Sequence, residues 1–345
     1  MTPGPSSRRR PGPDHAAAEP LVSVVLPTYK RAHVLPFAIR SVLDQTWRNL
    51  ELIVVSDNSP DNTAEIVASF DDPRLRFHVN ETNLKLPGTL NRGFAAAGGD
   101  YLTWTSDDNL FAPTAIERMA EALRGGGGDF VFADYWEFAE RDAAGAPAQV
   151  RHVRLPDAPD MKKGNSIGAC FMYTREVMER VGAYDTGLFL NEDYDYWMRV
   201  AREFRLRHIA EPLYYFARND ESLYCSRFCE VRAGSLLVRY KNRVLDRQEL
   251  LAGVVDQVMA NLDRHHSPLV RGAHAALARL SYRLKTGFER HMRGRLARSL
   301  GPQVAGLLDA YDRAAAGFGD TKAALSELMS RTARIEYRAY VGESR

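Results

Sequence analysis

Cysteine is scarce in this chain, which argues against a disulfide scaffold. The 345 residues contain three cysteines, Cys170, Cys225 and Cys229, with no CxxC pair among them. A small secreted domain held by disulfides usually has a dense, even set of cysteines. The low odd count therefore favours a reducing compartment, and we expect a cytoplasmic protein. A metal site at Cys225 and Cys229 would need two more ligands, and none follows at a suitable spacing.

Long apolar runs and an excess of one charge are also missing. No run of about 18 apolar residues occurs, so we expect no membrane-spanning helix. The chain has 46 basic and 44 acidic residues, a net charge of +2, so its overall charge does not point to nucleic acid. Residues 1–20 are rich in Pro, Gly, Ser, Arg and Ala and lack the apolar core of a signal peptide. We expect a disordered tail there.

Glycine-rich phosphate loops are absent from the place where nucleotide-binding folds usually carry them. The first predicted strand continues into Leu26-Pro-Thr-Tyr-Lys-Arg31, which has no glycine. Neither GxGxxG nor GxxxxGK[ST] follows, which argues against dinucleotide-binding and P-loop proteins. A sugar nucleotidyltransferase, which usually has a glycine-rich basic loop here, remains as a weaker alternative.

Strand and helix patterns alternate along the first part of the chain. Apolar runs predict strands at 21–26, 50–55, 75–79, 101–105 and 129–133, and helical periodicity predicts helices at 34–45, 63–70, 86–97 and 114–123. This alternation predicts an α/β fold, Rossmann-like, with a mainly parallel sheet and helices on both faces. Residues 140–165 resemble a long surface connection. We expect the α/β domain to cover 21–233 and a C-terminal helical extension to cover 234–345.

Polar side chains follow three of these strands, where ligands bind in parallel sheets. They are Thr28 to Arg31, Ser56 to Ser59 and Ser106 to Asn109. In the last group Asp107 and Asp108 are adjacent carboxylates at the end of a buried strand, where their charges repel. A divalent cation such as Mg²⁺ or Mn²⁺ would relieve this repulsion, whereas a simple polar turn is the alternative.

A second acidic group, Asn191-Glu-Asp193, lies at the start of a predicted helix at 192–204. Carboxylates are favoured at a helix N-terminus by the helix dipole, so a capped helix is one interpretation. The other is a catalytic base facing the metal site across a cleft.

The order of these segments resembles the family 2 glycosyltransferases. The resemblance covers about residues 21–223 and rests on five motifs: Ser23 to Arg31, Ser41 to Thr46, Glu51 to Ser59, Ser106 to Asn109 and Asn191 to Asp193. The Thr-Ser-Asp-Asp-Asn form is especially similar to the spore-coat polysaccharide synthesis enzymes of that family. The resemblance implies a GT-A fold and an inverting transfer of a sugar from a nucleotide diphosphate, usually a UDP-sugar, to a hydroxyl.

The resemblance also implies site roles. The nucleotide would be bound by Pro27, Thr28, Tyr29, Arg31, Asp57, Lys85 and Asp107. Asp108, with Asp107 as a second candidate, would bind Mn²⁺ or Mg²⁺, and Asp193 would be the general base. Sugar or acceptor contacts would come from Ile167, Gly168, Ala169, Glu192 and Trp197, with Trp197 supporting the helix. The acceptor would be a carbohydrate or a lipid-linked glycan.

Three departures from the family pattern concern the donor site. Many relatives have a carboxylate where this chain has Thr105, and an arginine where it has Leu90. Some have a histidine, a possible metal ligand, where this chain has Asn219. The missing residues keep a second hypothesis open, a catalytically silent carbohydrate-binding protein that retains the fold.

The C-terminal region contains a basic stretch. Seven basic residues stand against the single Glu289: Arg279, Arg283, Lys285, Arg290, Arg293, Arg295 and Arg298. A solvated helix face is the simpler interpretation; peripheral contact with an anionic membrane is the other. The sequence is also compatible with a homo-oligomer.

Overall fold

The computed structural model describes residues 19–142, 145–218, 227–264, 282–313 and 316–341. The predicted tail falls on residues 1–18, which lie outside this part, as do Asn219 and Cys225. The strands are β1 (Val22–Thr28), β2 (Leu50–Ser56), β3 (Leu75–Val79), β4 (Tyr101–Trp104), β5 (Leu110–Phe111), β6 (Phe130–Phe138), β7 (Glu140–Arg141), β8 (Pro147–Ala148), β9 (Arg151–Val153), β10 (Phe171–Thr174) and β11 (Leu206–Ala217).

The helices follow the predicted periodicity in the first part of the chain and continue beyond it. They are α1 (Leu35–Leu43), α2 (Thr63–Ala68), α3 (Lys85–Ala96), α4 (Ala115–Arg124), α5 (Arg175–Val181), α6 (Glu192–Glu203), α7 (Phe228–Lys241), α8 (Arg247–Arg264), α9 (Tyr282–Asp312) and α10 (Phe318–Val341). A short 3₁₀ helix covers Thr186–Leu188. Within the described residues, no helix is long and apolar enough to cross a membrane.

The main sheet is parallel in its first half and mixed in its second. Its strand order is β3-β2-β1-β4-β10-β6-β11-β5, and β9 pairs with β6. The pairs β3/β2, β2/β1 and β1/β4 are parallel, while β10 lies antiparallel between β4 and β6. The sequence predicts the parallel half correctly. It does not reveal the antiparallel insertion, because the pairing of β10 depends on contacts distant in sequence.

Side chains alternate between the two faces of the sheet, and each face has its own hydrophobic core. On β1, Val24 and Leu26 belong to the core under α1 and α4, whereas Val25 belongs to the opposite core under α3 and α6. This period-two alternation is the one expected of a sheet covered on both faces. Apolar residues of α7, α8, α9 and α10 join the second core.

Two predicted segments differ from the structure. The connection at 140–165 contains the short strands β7, β8 and β9, of which β9 pairs with β6. The predicted boundary between residues 233 and 234 lies inside α7, which begins at Phe228. The chain therefore passes from the sheet region into the C-terminal helices without a break in the helix.

The strand register brings the polar strand ends together. Thr28 at the end of β1 pairs with Ser56 at the end of β2, and Val25 pairs with Trp104 at the end of β4. The loops that follow β1, β2 and β4 therefore leave the same edge of the sheet.

Candidate functional site

A cavity of about 750 Å³ lies at this edge of the sheet. Its floor is formed by the loops after β1, β2 and β4, and its sides by the starts of α3 and α6 and by α7. Ten of the predicted site residues line it: Pro27, Thr28, Tyr29, Arg31, Asp57, Lys85, Asp107, Asp108, Glu192 and Asp193. Residues separated by more than 160 positions thus meet around one space.

The loop after β1 is held by the loop after β2. The amide of Lys30 donates to Ser59 Oγ at 2.8 Å, and the amide of Ala32 donates to Asp61 Oδ2 at 3.1 Å. Hydrogen bonds from the hydroxyls of Ser59 and Thr63 and from the backbone amides of Ala32 and Thr63 outweigh the effect of burial and lower the pKa of Asp61 to about 2. Asp61 is therefore a charged anchor that fixes the segment carrying Tyr29 and Arg31.

Asp57 lies at the end of β2 and is 4% exposed. Its Oδ1 accepts hydrogen bonds from Asn80 Nδ2 at 2.9 Å and from the amide of Leu84 at 2.7 Å. Both bonds use Oδ1 and neither uses Oδ2. The carboxylate is thus fixed in orientation and retains acceptor capacity at the wall of the cavity.

Lys85, at the start of α3, shares this wall. Its backbone has a positive φ of 62° and its amide donates to Asn83 Oδ1 at 3.2 Å. The side chain is exposed and lines the cavity. Its charge is therefore available to an anionic ligand beside Asp57.

Asp107 and Asp108 form an anionic pair after β4. Burial and the charge of Asp108 raise the pKa of Asp107 to about 7, although Arg31 and the amide of Tyr29 favour its ionised form. Arg31 Nη1 lies 3.5 Å from Asp108 Oδ2. Arg141 fixes the backbone, because its Nη2 donates to the carbonyl oxygen of Asp108 at 2.7 Å. The pair thus carries negative charge that the surrounding protein compensates only in part.

This partly compensated negative charge fits a divalent cation as part of its site. No group of three or more His, Cys, Asp or Glu side chains that could hold an ion occurs in the described part of the chain. Asp107 and Asp108 would therefore be the protein's contribution, and oxygens of a diphosphate and water would have to supply the other ligands.

Thr105, which stands where many family 2 glycosyltransferases have a carboxylate, makes a structural contact. The residue is fully buried, and its Oγ1 is 2.7 Å from the hydroxyl of Tyr214 on β11. Asn109, four residues later, accepts a hydrogen bond from the amide of Ala217 at 2.8 Å. These contacts tie the strand end carrying Asp107 and Asp108 to the end of β11.

Glu192 and Asp193 lie at the N-terminus of α6 on the opposite side of the cavity. Burial and the charge of Asp193 raise the pKa of Glu192 to about 8, and Glu192 Oε2 is buried with no hydrogen-bond partner in the described structure. Burial also raises the pKa of Asp193, against hydrogen bonds from the amide of Tyr194 at 2.7 Å and from Asn165 Nδ2 at 2.8 Å. A carboxylate with a raised pKa that opens onto a cavity can accept a proton near neutral pH.

The backbone before α6 is strained in a way that positions these side chains. Leu190 has a φ of 77°, which is uncommon for a residue with a Cβ. Asn191, the N-cap residue, donates from Nδ2 to the carbonyl of Val231 on α7 at 3.1 Å. The direction of α6, and with it Asp193, is thus set partly by α7.

Four predicted contact residues do not line the cavity. Ile167 and Trp197 are fully buried, and Trp197 packs edge-on against Phe130 and Phe171 with ring centroids 4.9 Å and 4.4 Å away. Gly168 has a φ of 73°, and Ala169 follows it at the edge of the other core. Trp197 lies in the core beneath α6, a position suited to supporting that helix.

Several cavity residues are missed by the sequence interpretation. Asn165 donates to Asp193, and Arg232 and Arg239 reach the cavity from α7. Asn165 lies in an irregular loop and gives no periodic signal. The two arginines are seven residues apart and so share a helix face, but nothing in the sequence indicates that this face meets the sheet edge.

The mixed sheet and the helices that cover it form a GT-A type of fold, and comparison with known proteins agrees. The sequence model of Glycosyl transferase family 2 matches residues 23–182. Residues 23–182, a little under half of the chain, therefore resemble that family in sequence. A mannosyltransferase from Pyrobaculum calidifontis superposes with a TM-score of 0.51 over 93% of this chain and 88% of its own, at 16% identity. At that identity the likeness establishes the GT-A fold alone, which confirms the predicted fold class.

Curated relatives match part of the chain. EpsJ of Bacillus subtilis, named as an uncharacterized glycosyltransferase, is 27% identical over 217 residues, which are 59% of this chain and 63% of EpsJ. WfgD of Escherichia coli is 25% identical over 186 residues, which are 53% of this chain and 70% of WfgD. Against glycosyltransferases of Rickettsia felis and Rickettsia typhi the matched segment spans only 32% and 59% of their length. The similarity to these relatives therefore extends over a little more than half of this chain.

Proposed function

We propose that this protein is a metal-dependent, inverting glycosyltransferase that moves a hexosyl group from a UDP-sugar to a hydroxyl acceptor. The observation that carries the proposal is the meeting of four carboxylates at three positions around one cavity: Asp57, the pair Asp107 and Asp108, and Asp193. Each has a distinct environment suited to a distinct task. The acceptor would be a carbohydrate or lipid-linked glycan in polysaccharide, glycan or glycolipid synthesis, used in the cytoplasm or at the inner face of a membrane.

The proposal of a UDP-sugar donor rests on the position of Asp57 at the cavity and on the donors of related proteins. A base with an N–H group can donate to Asp57, whose Oδ1 is already fixed by Asn80 and Leu84. WfgD is named as a UDP-Glc-dependent β-1,3-glucosyltransferase acting on an α-D-GlcNAc-diphosphoundecaprenol acceptor, which favours uracil. The Pyrobaculum enzyme was solved with GDP-Man and Mn²⁺, so guanine is the alternative to test.

Asp107 and Asp108 would hold Mn²⁺ or Mg²⁺ together with the diphosphate. A bound divalent cation neutralises charge that develops on the leaving diphosphate. Arg31, beside Asp108, and Lys85, on the wall of Asp57, also line the cavity and would add positive charge toward the phosphates.

Asp193 would accept the proton of the acceptor hydroxyl as that hydroxyl attacks the anomeric carbon. Asn165 orients its Oδ2 and the amide of Tyr194 orients its Oδ1. Attack from the side opposite the diphosphate breaks the sugar–oxygen bond to the leaving group in one displacement, so the anomeric configuration inverts. Because the reaction needs ionised Asp193, its raised pKa predicts activity that increases with pH on the acid side.

A panel of nucleotide sugars tests the proposal. We expect UDP, with Mn²⁺ or Mg²⁺, to raise the melting temperature more than GDP or TDP, since a ligand of the folded state stabilises it. Release of nucleoside diphosphate with a glycan acceptor should be lost on chelation and restored by the metal. Nuclear magnetic resonance should find the opposite anomeric configuration in the product. Nucleotide binding without turnover of any donor would instead support the catalytically silent protein.

A further inference from the structure

Two arginines of α7 line the cavity and have no role in the donor site. Arg232 and Arg239 lie on the face of α7 that also presents Ser235 to the cavity. Residues at positions i, i+3 and i+7 share one side of a helix. A polar and cationic stripe therefore forms the wall contributed by the C-terminal helices.

The hydrogen bonds of these two guanidinium groups go to neutral acceptors. Arg232 Nε donates to Gln257 Oε1 at 3.0 Å. Arg239 donates from Nε to the carbonyl of Ser235 and from Nη1 to the carbonyl of Lys162, both at 3.2 Å. No Asp or Glu pairs with either group among the residues that the structure describes. Nearby Arg227, by contrast, is neutralised by Glu230 at 2.7 Å.

The two charges also disfavour each other. Burial lowers the pKa of Arg239; Tyr194 opposes this shift, and the positive charge of Arg232 adds to it. Arg232 is exposed and Arg239 is partly buried. Two cations that line one cavity without a counter-ion in the described part of the chain raise the energy of the empty cavity. An anionic ligand between them would remove that repulsion.

The arginine pair lies on the side of the cavity that carries the proposed base. Arg239 donates to the carbonyl of Lys162, and the hydroxyl of Tyr194 donates to the preceding carbonyl, of Met161, at 2.5 Å. Tyr194 directly follows Asp193. The pair is thus beside the base, whereas Asp57 and Asp107 lie on the other side, on the strand ends.

We propose that Arg232 and Arg239 form a subsite for a phosphate or diphosphate group carried by the acceptor substrate. This inference rests on the proposed function and adds the chemical class of the acceptor. Seven residues correspond to about 10 Å along a helix, which suits an extended anion with several oxygens better than a single carboxylate. The Ser235 hydroxyl between them is a further donor.

Equilibrium binding to the UDP-saturated protein tests the subsite independently of turnover. The probes are octyl N-acetyl-α-D-glucosaminide and the same glycoside with a diphosphate inserted before the octyl chain, measured by calorimetry. We expect wild-type protein to bind the diphosphate probe at least tenfold more tightly. The double variant Arg232→Gln/Arg239→Gln should lose that tenfold preference and keep its affinity for UDP and for the neutral probe.

Two control variants test whether the lost preference reflects a general loss of structure. Arg243→Gln removes an exposed arginine just beyond α7 that does not line the cavity, and it should bind both probes like wild type. Arg232→Lys/Arg239→Lys keeps both charges and should retain part of the preference. The proposal is overturned if wild type binds the two probes equally, or if the double glutamine variant keeps the preference.

The source of the phosphate is settled by a second probe pair. A methyl diphosphate-linked glycoside has the same anion without the chain. If it binds like the octyl probe, the subsite recognises the anion alone, as in a water-soluble phosphorylated glycan. If the octyl probe binds more tightly, the acceptor is lipid-linked. If wild-type protein binds the probes as predicted but transfers no sugar, the proposed function is wrong and the subsite is supported.

Discussion

The carboxylates of the cavity differ in their hydrogen bonds, their burial and their charged neighbours. Asp57 accepts hydrogen bonds from two neutral donors on one oxygen. Asp107 and Glu192 are held where burial and a neighbouring carboxylate favour the protonated form, with pKa values of about 7 and about 8. A folded chain keeps such groups only when other interactions offset the cost, and functional sites are where this is most common.

Glu192 makes the stability of the protein depend on pH. Its pKa is about 8 in the folded chain against 4.5 in the unfolded chain, so between these values only the unfolded chain releases the proton. The free energy of unfolding should therefore fall as pH rises from about 5 to about 8. Glu192→Gln cannot ionise and should lose this contribution. We expect its stability relative to wild type to increase by about 1 kcal/mol or more over this range in urea titrations.

Asp57 should control nucleotide affinity. Asp57→Asn removes the negative charge and one acceptor from the wall, and loss of a charge-assisted hydrogen bond weakens binding about ten- to a hundredfold. Calorimetry with UDP measures this directly. Asp71→Asn, at an exposed position between α2 and β3, is the matched control and should bind like wild type. An unchanged dissociation constant for the Asp57 variant would show that Asp57 does not bind the uracil ring.

The main carboxylates of the site can be predicted from sequence because each follows an element with a clear local pattern. Asp57 and Asp108 end apolar strands, and Asp193 begins an amphipathic helix. Asn165 and Arg239 cannot be predicted in this way. The first lies in an irregular loop, and the second reaches the cavity only through the packing of α7 against the sheet region.

At the scale of elements, the contact between α6 and α7 decides the position of the proposed base. Asn191 at the start of α6 bonds to the carbonyl of Val231, and its Oδ1 faces Gly234 of α7. A Cβ built on Gly234 would lie 1.7 Å from that oxygen. The close approach of the two helices therefore requires a residue without a side chain at position 234.

Gly234→Ala should displace the start of α6. The clash cannot be relieved without moving Asn191, and overpacking of this kind costs about 1–3 kcal/mol. Urea unfolding should show this loss, and transfer activity should fall further than the loss of folded protein explains. Gly306→Ala in α9 has open space around the new Cβ and should instead stabilise the protein by about 0.5–1 kcal/mol. Equal stability of the two variants would contradict this account.

Sequence patterns predict β2 and β3 better than the shortest strands. The bounds of β2 and β3 agree with the apolar runs to within one residue. The strands β7, β8 and β9 have two or three residues each and are not predicted. A strand of that length has too few residues for an alternation, and its formation depends on a partner elsewhere in the chain.

At the scale of the whole molecule, the C-terminal helices and the sheet share a hydrophobic core. One continuous cluster contains Val25 of β1, Trp197 of α6, Leu237 of α7 and Leu300 of α9. The basic stretch predicted at 279–298 lies on this helical region. Arg293 pairs with Asp256, while Arg279 and the side chains of Arg283 and Lys285 lie outside the described part of the chain. The membrane contact predicted for it stays a prediction.

The shared core predicts that both regions unfold together. Leu237 is fully buried, and Leu237→Ala should cost about 2–5 kcal/mol. All four tryptophans, at positions 47, 104, 136 and 197, precede α7, so tryptophan fluorescence reports on the sheet region, and circular dichroism reports on all helices. Both signals should shift to lower urea by the same amount in the variant. A fluorescence transition that does not move would show that the helices unfold separately.

Single-turnover transfer by Asp193→Asn tests the central claim, that Asp193 is the base of a glycosyl transfer, most directly. The variant keeps the size of the side chain and the hydrogen-bonding position of Asn165 but cannot accept the proton. We predict that the rate constant for transfer falls at least a hundredfold while UDP binds with unchanged affinity, since general bases contribute about 10²–10⁴ in rate. Transfer at a rate within a few fold of wild type and of the Asp71→Asn control would contradict it.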